Sequence, residues 1–346
     1  MRLARTSHPV GPSVLAGLAG LAGLAGLAVA AVPAAARADG PVPSAPLVSF
    51  RGDDVYESSG LVDRGRTLFT VNDSGDAAVV YGVDARTGST TSRSSYAGSV
   101  TDVEALAPGA HGTVWAGDIG DNRADRDDVA VYRLTPRDGW VPAARYLLRY
   151  PDGPHDAETL LVRPGTGRVL VVSKSVFGGT VYAAPATLHA GGPAQRLRRF
   201  ARVPGLVTDG TFLPDGRHVL LRTYGTASVY TFPGFDLVGT VRLPSQPQGE
   251  GISAAPSGRV LVSSEGSHAD VLRVRLPAAL LQGTRPAGRE PAPSTRPPSA
   301  GSGSARTAPR HRGPGDWAAL GLVAAGVLGL GYLAIRGSRV RGPRSR

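Results

Sequence analysis

The sequence predicts an all-β domain, a five-bladed β-propeller closed by an N-terminal strand, followed by one C-terminal transmembrane helix. Three observations carry this expectation. Residues 46–278 hold many short β-rich runs broken by Gly, Pro and Asp, and few helical patterns. Within them a carboxylate, a short apolar run, a Gly-containing turn and a second apolar run recur five times, at spacings of 47, 54, 51 and 41 residues. One four-stranded blade takes roughly 40–50 residues. Finally, Trp317 to Ile335 is an uncharged stretch of 19 residues, close to the ~20 that a helix needs to cross a bilayer.

Arg2 and Arg5, the apolar and glycine run Leu15 to Val32, and the small residues Ala36-Arg37-Ala38 read as a signal peptide over 1–38. Its removal leaves Asp39 first; an uncleaved anchor helix is the alternative. Residues 39–283 form the propeller. Residues 284–316 are dominated by Pro, Gly, Ser, Ala and Arg and read as a semi-extended stalk. The span 317–335 precedes five arginines in 336–346. The positive-inside rule places that tail in the cytoplasm and the propeller outside, a single-pass type I arrangement in the cell membrane. A buried core helix is the alternative that the arginines argue against.

Charge separates the parts. The formal net charge is +11, yet Ala45 to Gly283 holds 24 acidic and 24 basic residues. The excess lies in the signal peptide, stalk and tail, so nucleic acid is not an expected partner. With no cysteine in the chain, disulfides and thiolate metal sites are excluded.

The repeats run as follows. Glu57 leads through Ser58-Ser59-Gly60-Leu61-Val62 to Thr67–Asp73, Glu104 to Thr113–Asp118, and Glu158 to Arg168–Lys174. Asp209 leads to His218–Arg222 and Glu250 to Arg259–Glu265. Third strands follow in each repeat and fourth strands in four. The fifth lacks its own, and Pro46–Arg51 stands where a fourth strand would stand, so pairing it into the last blade closes the ring and removes open edges. Six blades would follow only from a further, weaker repeat.

Because each innermost strand starts on the same face, Glu57, Glu104, Glu158, Asp209 and Glu250 are expected to ring one mouth of the channel. Asp73, Asp118, Lys174, Arg222 and Glu265 end the second strands around them, with His155-Asp156 nearby. Converging carboxylates repel unless a cation, water or raised pKa values relieve them. Hard oxygen donors favour calcium or magnesium and argue against zinc. The alternative is that the acids bind backbone NH groups at strand starts, and a one-residue slip would turn any of them to the other face. Lys174, the single lysine, and Arg222 suit an anionic ligand or substrate, or else salt bridges to the ring. Asn72-Asp73-Ser74-Gly75 and Asp215-Gly216 read as turns. Asp118 to Asn122 with Asp125, Asp127 and Asp128 reads as a solvated acidic loop, since it lacks the terminal Glu of an EF-hand.

The Glu-Ser-Ser-Gly-Leu, Asn-Asp-Ser-Gly, Gly-Asp-Ile-Gly-Asp-Asn and His155-Asp156-Ala157-Glu158 segments resemble secreted actinobacterial β-propeller proteins of the WD40-like or NHL-like kind. In architecture the ring is similar to that of calcium-dependent propeller phosphohydrolases. This resemblance implies calcium at Glu57, Glu104, Glu158 and Glu250, without a full ligand set of either phosphohydrolase family. Two functions are expected: a membrane-anchored extracellular propeller that binds a ligand or protein partner on its top face around a central calcium, or a calcium-dependent hydrolase of phosphate esters, other esters or lactones. Protease added to intact cells should remove the propeller and leave the tail. A spared propeller would contradict this topology.

Overall fold

The computed structural model describes residues 40–73 and 76–282. The signal-peptide, stalk, transmembrane and tail segments lie outside the described residues. Among the described residues, no helix is long and apolar enough to cross a membrane.

Five antiparallel sheets make five blades, as the repeat predicts. Each innermost strand continues outward through the next two strands in order: Ser58–Asp63, Thr67–Asn72, Val79–Asp84 and Thr90–Tyr96 form the first blade. Val103–Pro108, Val114–Asp118, Val129–Leu134 and Ala143–Arg149 form the second, and Ala157–Val162, Val169–Ser173, Gly179–Ala183 and Arg198–Val203 the third. The fourth contains Val207–Phe212, His218–Thr223, Thr226–Thr231 and Leu237–Arg242. The fifth takes Gly249–Ala254, Val260–Ser264 and Asp270–Val274 from the C-terminal side and completes itself with Ser44–Ser49, paired antiparallel to Asp270–Val274. The N-terminal closure read from the sequence is therefore present. Two short parallel strands, Gly139–Val141 on the first blade and Gln195–Arg196 on the second, cover the outer edges, a place where unpaired strands invite aggregation.

The alternation of apolar residues along these strands puts a hydrophobic cluster in every seam. Leu106 and Val62 share the seam of blades one and two, Leu160 and Val131 that of two and three, and Leu161 and Phe212 that of three and four. Ile252 and Leu220 fill the seam between four and five, and Leu261 and Leu61 the one that closes the ring. Each fully buried Leu or Ile contributes about 1.5–3 kcal/mol of transfer free energy.

Polar side chains also cross the seams, and Arg222 does so from the deepest position. Arg222, expected on the rim, is instead fully buried at 0% exposure. Its Nη1 donates to Gly251 O at 2.9 Å and Ser263 O at 3.1 Å in blade five, and its Nε to Thr223 O at 3.2 Å. Burial lowers the guanidinium to about 10, against the opposing pull of Glu250 and Asp209, so it stays charged at neutral pH. Arg222→Met should leave these carbonyls and acids unbalanced and lower the unfolding free energy by about 3–5 kcal/mol, measured by urea denaturation. A loss below about 1 kcal/mol, the size of a surface pair, would contradict its bridging role.

Candidate functional site

The head of every innermost strand carries a β-bulge, and the bulge selects which side chain turns to the channel. Val103 pairs with Asp118 and Ala105 with Gly117, leaving Glu104 as the extra residue. The same break leaves Glu158 in blade three, Thr208 in blade four, Glu250 and Gly251 in blade five, and Ser59 and Gly60 in blade one. The structural ring is therefore Ser59, Glu104, Glu158, Thr208 and Glu250. The two hydroxyls in it tie neighbouring strands: Ser59 Oγ donates to Glu104 O at 2.6 Å and lies 3.2 Å from Glu104 Oε2, and Thr208 Oγ1 donates to Glu250 O at 3.3 Å.

This register corrects two expected ring positions. Glu57 lies two residues ahead of Ser59, on the strand approach, and is partly exposed. Asp209 lies one residue past Thr208, where the other blades have Gly60, Ala105, Thr159 and Gly251, so it faces the other way. It is fully buried, and its Oδ2 accepts from Ile252 N at 2.7 Å. Burial raises its pKa despite that hydrogen bond.

A second set of residues fastens the strand approaches. Asn72 Oδ1 accepts from Tyr56 N and Glu57 N, Asp118 Oδ1 from Thr101 N and Asp102 N, and Ser264 Oγ from Gln248 N. Asp118 also pairs with Arg126 at 2.9 Å. Asp121 Oδ1 and Oδ2 accept from Asp125 N and Arg126 N, and both aspartates are buried. The expected solvated acidic loop therefore divides: Asp118 and Asp121 are an internal bracket around Arg126, while Asn122, Asp125 and Asp127 are exposed as expected. His155 is likewise structural in its contacts, packed against Tyr150 and Tyr182 with Nε2 3.2 Å from Asp152 Oδ1. Asp215 forms its expected turn by accepting from Arg217 N and His218 N.

With the approaches fastened, acids gather at one mouth. Asp73, Asp102 and Glu104 each place a carboxylate oxygen within 4.8 Å of the others. Glu104 and Asp102 are 3% and 7% exposed, and Asp102 Oδ1 is buried with no hydrogen-bond partner. Burial, then the charges of Asp73, Glu158 and Asp102, pushes Glu104 well above the usual carboxylate range, and it shares a hydrogen bond with Asp73. Asp102 rises to about 6 through burial and the nearby Asp73 and Asp156. A Cβ at Gly120 would come 2.7 Å from Glu104 Cγ and collide with the Asp102 carboxyl, so only glycine lets this loop close over the cluster. The repeat pattern does not single out Asp102; its signal is its place directly ahead of the innermost strand, equivalent to Glu57 and Asp156.

Across the mouth, Lys174 is ion-paired to Glu158 and lies 5.4 Å from the centre of the Tyr224 ring. Burial alone would lower the ammonium, but Glu158 raises it overall, so the pair is a protonated lysine beside its acid. Glu158 Oε2 and Glu250 Oε2 are buried without hydrogen-bond partners. Glu250 rises to about 7 through burial, moderated by Lys174 and Arg222, and Glu265 rises to about 8 through burial, Glu250, Asp73 and Glu57. Beside Lys174 the rim is apolar: Val176, Leu206 and Tyr224 are exposed and Phe177 is 95% exposed, with Leu206 N bonded to Ser175 O at 3.0 Å.

Neither the protein-family models nor the curated proteins compared with this sequence give a match. Solved structures similar to the chain include a luciferin-regenerating enzyme, with a TM-score of 0.43 and 13% identity over 68% of this chain and 96% of that one. Another is a gluconolactonase from Xanthomonas campestris, with a TM-score of 0.42 and 17% identity over 68% and 90%.

The raised carboxylates fix a pH dependence. Unfolded Asp and Glu titrate near ~4, below the folded values of about 6, 7 and 8 for Asp102, Glu250 and Glu265. The folded state therefore holds these protons more tightly, and the stability they contribute falls from about pH 4 upward and is gone above the highest folded value, about 8. In EDTA, the melting temperature should be higher near pH 5.5 than near pH 8.5 by scanning calorimetry. The reverse order would contradict the burial of these acids.

Proposed function

We propose that the acidic mouth holds a divalent cation, with calcium the best fit, and that cation and rim together form the ligand-binding face of a membrane-anchored extracellular propeller. The observation that carries this reading is the Asp73, Asp102 and Glu104 cluster, whose oxygens lie within 4.8 Å of one another while Asp102 Oδ1 has no partner. Oxygens at about 2.4 Å from one calcium ion are at most ~4.8 Å apart, so the cluster fits the ion's span. The donor set is all oxygen, which suits calcium or magnesium. An ion there would supply positive charge for an anionic or oxygen-bearing group of a ligand.

The remaining residues divide the work. Glu250 and Glu265 add two carboxyl groups beside the cluster, and Lys174 pairs with Glu158 and presents the one lysine cation of the chain at the rim. Phe177, Val176, Leu206 and Tyr224 offer an apolar lip to the rest of the ligand. The extracellular address rests on the 1–38 and 317–346 sequence patterns.

Hydrolysis of an ester, phosphate ester or lactone is the second reading, and Lys174 favours it. Its ammonium, held by Glu158, faces the mouth across from the carboxylate cluster, a position suited to stabilising negative charge that develops on a bound substrate. Turnover of such substrates that disappears in Lys174→Met while calcium binding persists would establish this reading over simple binding.

After EDTA treatment, saturating calcium at about 100 times its Kd should raise the melting temperature by roughly 5–10 °C. Asp102→Asn with Glu104→Gln should abolish that rise. No response of the wild type to calcium, magnesium or zinc would sink the cation site.

A further inference from the structure

The other end of the channel has the opposite chemistry. The hairpins at Pro108–Thr113, Val162–Gly167 and Phe212–Pro214, with the last residues of the other innermost strands, enclose a cavity of about 860 Å³. Its walls include Trp115, Phe212 and Leu213, all buried. Three arginines line it: Arg64, Arg133 and Arg163. Arg64 Nη2 donates to Gly109 O at 2.7 Å and Thr113 O at 2.9 Å, while its Nε is buried with no acceptor. Arg133 lies over the Trp115 ring at 5.6 Å, and Arg163 over Phe232 at 4.9 Å with Nε bonded to Gly216 O at 3.2 Å.

None of the three has a carboxylate partner among the described residues. The acid that lines the cavity, Asp63, is buried and already bound by Arg259, whose Nε donates to it at 2.7 Å. Uncompensated guanidinium groups around an apolar volume are a poor arrangement for stability and a good one for an anion, because their fixed N–H forks match carboxylate, sulfonate or phosphate oxygens. The volume falls in the roughly 300–1,000 Å³ range of small-molecule pockets.

We propose that this cavity is a second binding site, for a small organic anion with an apolar body. Its acid group lies among the arginines and its body against Trp115, Phe212 and Leu213. The site is independent of the cation-binding mouth, since its residues come from the opposite ends of the innermost strands.

Equilibrium dialysis of the full chain in detergent tests this with 2-naphthoate and its neutral counterpart 2-naphthamide. Naphthoate should bind at least tenfold more tightly than the amide. Arg133→Ala and Arg163→Ala should each weaken naphthoate by about tenfold, the size of a charge-assisted hydrogen bond, with the melting temperature confirming that each variant is folded. Glu104→Gln should leave naphthoate binding unchanged even if it abolishes the calcium response, which separates this site from the proposed function. Equal binding of acid and amide to the wild type, or no binding of either at millimolar concentration, would overturn the proposal without recourse to any variant.

Discussion

Everything at the acidic mouth depends on the bulge at the head of each innermost strand. A strand alternates its side chains between two faces, so one inserted residue decides whether a carboxylate meets the channel or disappears into a seam. In blades two, three and five the bulge aims Glu104, Glu158 and Glu250 inward, while in blades one and four it aims Ser59 and Thr208. Two hydroxyls in place of two acids reduce the repulsion in the ring. They also donate to the backbone carbonyl of the next ring residue, which fixes the spacing of neighbouring strands.

That spacing has an energetic counterpart. The acids are fixed near one another by bonds made elsewhere: Asn72, Asp118 and Ser264 fasten the strand approaches, and Arg222 crosses from blade four to blade five. The seams supply the apolar stabilisation that such an arrangement must draw on, one cluster between each pair of neighbouring blades. The result is a mouth whose carboxylates are raised by burial and mutual charge, a condition that a bound cation relieves. The far mouth mirrors this with arginines that have no carboxylate partner among the described residues, so the channel has an acidic end and a basic end.

The blade count and the closing strand were legible in the sequence because both follow from strand-length apolar runs and turns repeated at blade spacing. The ring was legible only in part. Counting from the nearest carboxylate placed Glu57 and Asp209 in it, whereas counting from the buried apolar residue after the bulge, Leu61 in blade one and Ile252 in blade five, gives Ser59 opposite Glu250. A bulge leaves no mark in composition. The depth of Arg222 was equally hidden: its carbonyl partners at Gly251 and Ser263 belong to a neighbouring blade, and only the closed ring brings them to it. Asp102 and the apolar lip at Phe177 lie in strand approaches and loops, where the repeat pattern carries no information.

The bulge register that aims Glu104 inward sets it with Asp73 and Asp102 in the cluster proposed here as a cation site. A crystal soaked in calcium and measured at long wavelength tests it most directly. One anomalous difference peak is expected at the channel mouth, about 2.4 Å from oxygens of those three carboxylates. A calcium-soaked crystal with no peak there, or with its peak among other residues, would contradict it.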